Sequence, residues 1–211
     1  MESLSQVRIA LSPVRICQAA LNIVVLLLFA LCAWAAYRHF LVTHSSQSFG
    51  ILAVNTLLLA LFVTRRPASA ESPSLSLWLL GVAGTALPLL LRPSDVAGLV
   101  GIGTTVQLIG MAMMTAGLLS LRRSFAVVPG NRGVRVGGLY RVLRHPIYIS
   151  ELTAVLGVVL VSPTLWNASL WLCLCGLQFA RARAEEEFLA LDPAYRAYRA
   201  RVRYRLIPGV L

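Results

Sequence analysis

The chain contains no lysine. All nineteen of its basic residues are arginine, against eight Asp and Glu, and only 13% of its 211 residues are charged. A soluble domain of this length carries charge on about a quarter of its residues, so that class is excluded. Cysteine is scarce and poorly spaced for chemistry. Cys17, Cys32, Cys173 and Cys175 lie in or beside apolar segments, and the single residue between the last two is not a zinc spacing. They read as small hydrophobes and give no metal site or disulfide framework. A Gly-x-Gly-x-x-Gly fingerprint is also missing, which argues against a soluble Rossmann-type domain.

What the chain has in quantity is apolar surface. Hydrophobic residues make up 58%, and the mean hydropathy is +0.77. The fold class is therefore an all-α polytopic membrane helix bundle. A net charge of +11 would point to nucleic acid in a soluble protein, but here the arginines flank hydrophobic runs. Topology and anionic headgroups account for them, and no nucleic-acid partner is expected. The first run imitates a signal peptide, with Ala33-Trp34-Ala35 as a small-residue site, but it is too long for one and is read as a membrane helix.

Apolar runs fall at 17–42, 49–64, 74–91, 97–121, 146–162 and 164–181. About 20 residues cross a bilayer, so these give about six transmembrane segments. The last two meet at Ser162-Pro163-Thr164 and are expected to form a helical hairpin. Seventeen of the nineteen arginines collect in alternate loops, leaving Arg38 and Arg92 on the other side. The positive-inside rule then places both termini in the cytoplasm of an integral membrane protein, with a bacterial inner membrane as the expected setting.

Residues 1–118 read as a transmembrane scaffold. Pro88 should kink the third run. Gly98, Gly101, Gly103, Gly110 and Gly117 should allow close packing in the fourth. Asn22, Asn55 and Gln107 are read as interhelical hydrogen-bond partners. Residues 119–211 hold the chemistry. A basic, glycine-bearing loop over 122–145 ends in Arg144-His145-Pro146-Ile147-Tyr148. Proline fits the first turn of a helix, so a helix starts here and its N-terminus offers an anion site beside the loop. Glu151 shares a face with Tyr148. It either complements the helix dipole or binds a cationic or hydroxyl group.

Farther on, Arg181 and Glu185-Glu186-Glu187 leave the last run on a continuing helix. Arg181 with Glu185 at i,i+4 suits a surface ion pair; it also suits a guanidinium and a carboxylate facing the His145 helix start. Asp192-Pro193 begins a short basic amphipathic helix carrying Tyr195, Tyr198 and Val202 on one face. That helix either covers the site or anchors the tail to the membrane surface on the cytoplasmic side.

The series Gly138-Leu-Tyr140-Arg-Val-Leu-Arg144-His145-Pro146-Ile147-Tyr148, then Arg181 with Glu185-Glu186, then Tyr195-x-x-Tyr198-x-x-x-Val202 and Pro208, resembles the integral membrane methyltransferases. These include the isoprenylcysteine carboxyl methyltransferases and the phospholipid N-methyltransferases. The resemblance covers residues 119–208 and departs from the family at Asp192-Pro193, where many members have Phe-Gly and a longer spacer. It implies S-adenosylmethionine as cofactor, held by Gly133, Val134, Arg135, Tyr140, His145, Pro146, Ile147, Tyr148 and Glu185, with Arg181 as the catalytic residue facing the methyl acceptor. No metal is implied. The acceptor is lipophilic or small: an isoprenylcysteine carboxylate, a phospholipid amine, a thiol, or an isoprenoid or phenolic lipid. Steroid 5α-reductase-like proteins, which use a nicotinamide cofactor, carry a similar Arg-His-Pro-x-Tyr-x-x-Glu that ends here at Glu151, but they usually have Asn where Ile147 stands. A non-catalytic lipid-binding protein is the third reading. Oligomeric state leaves no mark in the sequence.

Overall fold

The computed structural model describes residues 13–66, 70–71, 75–125, 127 and 130–209. The expectation for the N-terminal segment with Arg8 lies outside them. Among these residues seven α-helices follow in order: α1 (Pro13–Thr43), α2 (Ser46–Thr64), α3 (Leu75–Ala86), α4 (Val100–Leu121), α5 (Pro146–Val161), α6 (Leu165–Leu189) and α7 (Pro193–Arg201). A two-residue antiparallel ladder, β1 (Ala70–Glu71) with β2 (Gly130–Asn131), ties the α2–α3 connection to the loop after α4. The sequence pattern contains no signal for it.

Among the described residues three helical stretches are long and apolar enough to cross a membrane: Ala20–Thr43, Ser46–Thr64 and Val100–Ser124. Two further apolar helices, Leu77–Leu90 and Pro146–Val161, are shorter. On α1, Ile23, Val24, Leu27, Leu31 and Trp34 are all more than half exposed and fall on one face. Such a stripe is stable against lipid and not against water. Helix α6 is long, but Asn167, Gln178 and Arg181 dilute its hydropathy. All three are buried within the protein, and the exposed charges of α6, Arg183 and Glu187, lie in its last two turns.

Local chemistry explains the breaks. Ser45 caps α2 by accepting from Ser48 N at 3.2 Å, after His44 turns the chain with φ 48°. At Pro88 the third run does not simply kink; the α-helix gives way to a 3₁₀ turn over Leu87–Leu90. Helices α5 and α6 form the expected antiparallel hairpin. Trp171 Nε1 donates to Leu152 O at 3.0 Å, and Leu174 packs on Leu152 and Val155. Asn167 locks the hairpin's apex: it accepts from Arg92 N and donates to Arg92 O and Ser162 O.

Helices α4 and α5 cross in near backbone contact. A Cβ at Gly110 would fall onto Ala154 N and Cα, and one at Gly157 onto Gln107 N. Gly101 meets nothing, so the glycine expectation holds by position and not for the whole set. Among the isolated polar residues, Gln107 does bridge helices, accepting from Gln47 Nε2 at 2.8 Å. Asn55 instead donates to Ile51 O one turn back in its own helix. A division of the chain at 118/119 falls inside the last turn of α4, where Leu118 is fully buried with Phe125 and Val127.

Candidate functional site

The site is built where the loop after α4, the start of α5, the far end of α6 and α7 converge. Pro146 opens α5 at its first position and is itself buried. Tyr148 N and Ile149 N both reach back to His145 O. Arg144 N and His145 N donate to Tyr204 O and Arg205 O of the C-terminal tail at 2.9 and 3.0 Å. The helix start is therefore closed by the tail. It does not present the open row of amides that an anion site requires, which corrects the expectation drawn from His145-Pro146.

Glu186 is the anchor of this region. Its side chain is 2% exposed and accepts two bonds from Arg205, at 3.1 and 2.9 Å. Arg144 Nε and His145 Nε2 each lie 3.2 Å from Oε1. Burial pushes the carboxyl up, but the bonds from His145 and Arg205 and the nearby charges outweigh it and bring its pKa from 4.5 down to about 2. An ionised carboxylate only accepts, so His145 Nε2 carries the proton between them. His145 Nδ1 then faces Glu185, 3.6 Å from its Oε2.

Because the folded state holds Glu186 below its ordinary value, this stabilisation is complete above about pH 4.5 and is lost as pH falls toward 2. Acid unfolding of the detergent-solubilised protein should therefore show a loss on the order of 3 kcal/mol in that window. A stability profile flat from about pH 5 to about pH 2.5 would contradict it.

Glu185, one residue earlier, points elsewhere. Its Oε2 accepts from Tyr148 Oη at 2.5 Å. Tyr148 stacks on His145 with centroids 5.2 Å apart and planes within 7°. Together they form one wall of a cleft of roughly 900 Å³, open mouth included, which is within the size of small-ligand pockets. Gly133, Val134, Arg135, Tyr140, Ile147 and Leu189 complete much of the lining. Gly133 adopts φ 89°, which a side chain would strain. Arg135 Nε donates to Ser124 Oγ at 3.0 Å, which fixes the loop against the end of α4.

Helix α7 covers the cleft. Asp192 caps it by accepting from Ala194 N at 2.8 Å, with Pro193 at its first position. Its apolar face, Tyr195, Tyr198 and Val202, is buried against Val134 and Leu189. Tyr198 Oη donates to Tyr140 O at 2.9 Å. The face the sequence offered to the membrane is thus spent on the protein, and Arg196, Arg199 and Arg201 remain outward. Burial, with Glu186 nearby, pushes the Tyr195 phenol up, so it stays neutral at physiological pH.

Of the ten residues singled out in the sequence, eight surround this cleft: Gly133, Val134, Arg135, Tyr140, His145, Ile147, Tyr148 and Glu185. Pro146 lies beneath it. Arg181 is on the far side of Tyr148, its guanidinium 4.8 Å from the ring centroid and donating to Val127 O at 2.5 Å. It is 5% exposed and is not the surface ion-pair partner that i,i+4 spacing offered. It lines a second, mostly apolar cavity bordered by α1, α2, α4 and α5 and by the turn at Pro88. Tyr148 and Ile147 border both spaces. Sequence reading missed the clamp of Arg144, Glu186 and Arg205. It also missed Tyr195 and Tyr198 as lining, although their spacing had put them on one face.

No curated protein matches the sequence. A family model does match, over residues 33–202, from within α1 through the end of α7, and so across the cleft and most of the second cavity. The chain therefore belongs to DUF1295, a membrane-associated family described as proteins of unknown function.

Proposed function

We propose that the chain is an integral membrane methyltransferase that takes S-adenosylmethionine into the cleft between His145 and α7. Its acceptor occupies the apolar cavity behind Tyr148. The observation that carries the reading is a pair of adjacent cavities, one ringed by charged side chains and one largely aliphatic, that share Tyr148 and Ile147 as a wall. A cofactor and an acceptor in these two spaces would be neighbours across Tyr148 and Ile147, and alignment-dominated transfer needs that proximity.

The cleft's own residues fit the cofactor. Tyrosine faces attract a sulfonium cation. Glu185 suits an amino group or ribose hydroxyls, and Arg135 suits a carboxylate. The bound cofactor supplies the electrophilic methyl group. The chain holds the two partners in line, excludes water with α7, and positions the acceptor through Arg181. In this reading all six apolar segments cross an inner membrane, and the termini, the cleft and α7 lie in the cytoplasm, on the arginine-rich side. A reporter fused after residue 211 should then be active only as a cytoplasmic fusion.

One observation favours a second reading. The family is steroid 5α-reductase-like, and Glu151 stands at the spacing those proteins use. A nicotinamide cofactor would then fill the cleft. Calorimetry on purified protein separates the two. Micromolar binding of S-adenosylhomocysteine, lost in Glu185→Ala, supports methyl transfer; binding of NADPH alone replaces it with reduction.

A further inference from the structure

The second cavity spans about 1,300 Å³ between the helices, open mouth included, and its described lining is mostly apolar. Glu151 and Arg181 are the only charged residues in that described lining. Gln178 Nε2 donates to Glu151 Oε2 at 2.5 Å, and Glu151 Oε1 takes no hydrogen bond from the described residues. Arg181 gives Nη2 to Val127 O, yet its Nε is buried without a hydrogen-bond partner. Helix α3 comes close enough at Gly84 for a Cβ to touch Arg181 Nη1 and Gln178 Nε2 at 3.3 Å. A larger residue there would press on both groups.

Buried donors and acceptors without partners are costly, and in an apolar span they mark the place of a ligand's polar group. The charges narrow what that group is. One guanidinium and one carboxylate already balance. A carboxylate guest would add an uncompensated negative charge beside Glu151, and an ammonium guest a positive one beside Arg181. A neutral hydroxyl adds no charge and suits the pair: it donates to Glu151 Oε1 and accepts from the Arg181 guanidinium.

We infer that the acceptor is a lipid with a neutral hydroxyl head of phenolic or enolic type, and that its tail fills the cavity while Glu151 and Arg181 hold the head against Tyr148. This rests on the methyltransferase reading for its chemistry. The hydroxyl proton passes to Glu151 Oε1 and the oxygen lone pair forms the new O–CH₃ bond. The C–S bond of the sulfonium donor breaks, its electron pair stays on sulfur as the neutral thioether, and the proton leaves later to water. Arg181 stabilises the oxygen as negative charge grows on it.

The test measures binding, not turnover. Protein in neutral-lipid nanodiscs is titrated with a long-chain 4-alkylphenol, and in parallel with a fatty acid and an alkylamine of the same chain length. Thermal shift is read with and without S-adenosylhomocysteine. The phenol alone should stabilise the protein. Glu151→Gln keeps the shape of the site but cannot take the proton, and Arg181→Met removes the donor; each should weaken phenol binding by on the order of tenfold or more. Cys32→Trp, which fills the apolar end and leaves the polar end intact, should abolish phenol binding without altering S-adenosylhomocysteine binding. Preference for the fatty acid or the amine, or phenol binding indifferent to all three substitutions, overturns the inference. Phenol binding without S-adenosylhomocysteine binding keeps the guest class and overturns the methyltransferase reading instead.

Discussion

Glu186→Gln is expected to unravel the cytoplasmic half of the protein, whereas Glu185→Gln leaves the fold intact and removes cofactor binding. The two carboxylates are neighbours in sequence, but their surroundings differ in kind. Glu186 is 2% exposed and gathers Arg205, Arg144 and His145. Replacing it with an amide leaves two buried or half-buried guanidinium groups without a counter-charge, a loss of about 3–5 kcal/mol by comparison with other broken buried pairs. Arg205 is also what holds the tail strand whose carbonyls take the amides of Arg144 and His145. Once it is released, the start of α5 loses its closure. Glu185 is 15% exposed at the cleft wall, and among the described residues its one hydrogen bond comes from Tyr148. Its amide can still accept that bond, so the fold should lose about 1 kcal/mol at most. The check is thermal unfolding in detergent together with proteolysis of the tail beyond α7. Glu186→Gln should melt well below wild type and be clipped in the tail; Glu185→Gln should melt near wild type yet fail to bind S-adenosylhomocysteine. If both variants melt alike, the division of roles between these residues is wrong.

That contrast also shows where sequence reading stops. Successive residues on a helix point about 100° apart, so of three consecutive glutamates only some can face a given neighbour. Which ones do depends on the rotation of α6 against α5, and that is set by Trp171, Leu174 and Gln178 many residues away. Periodicity found α6 but could not turn it. The helices themselves were legible because long apolar runs, Pro88, Pro146 and Asp192-Pro193 are local signals. The cleft was legible because its residues cluster in the motif from Gly133 to Tyr148. The Arg205 clamp joins residues 19 positions apart through a tail with no regular pattern, and the β1–β2 ladder pairs two dipeptides across the whole of α3 and α4. Neither leaves a trace in composition or spacing. Spacing alone offered Arg181 as an outward or a cleft-facing group; only the family resemblance turned it toward the acceptor. Its burial behind Tyr148 follows from the α5–α6 crossing.

The glycines of α4 give a second large effect, and one with an internal control. Gly110→Val should separate α4 from α5, because the new Cβ meets the backbone of Ala154, which has no rotamer with which to yield. Gly101→Val adds the same side chain in the same helix at a position where nothing lies within 4 Å. It should be neutral or slightly stabilising, since valine has the better helix propensity. Overpacking of this sort costs about 1–3 kcal/mol when side chains can shift, and more when only backbone can. The consequence for function follows from what α5 carries. Ile147 and Tyr148 sit on α5 at the wall between the two cavities, and Tyr148 must stay within reach of Glu185 on α6. If α5 is pushed off α4, the wall moves as a unit, so Gly110→Val should lower both the melting temperature and the affinity for S-adenosylhomocysteine, although residue 110 touches no part of the cleft. Loss of stability with affinity unchanged would mean that the wall is held by α6 alone. Equal behaviour of Gly110→Val and Gly101→Val would mean that the close crossing of α4 and α5 is not what positions the site.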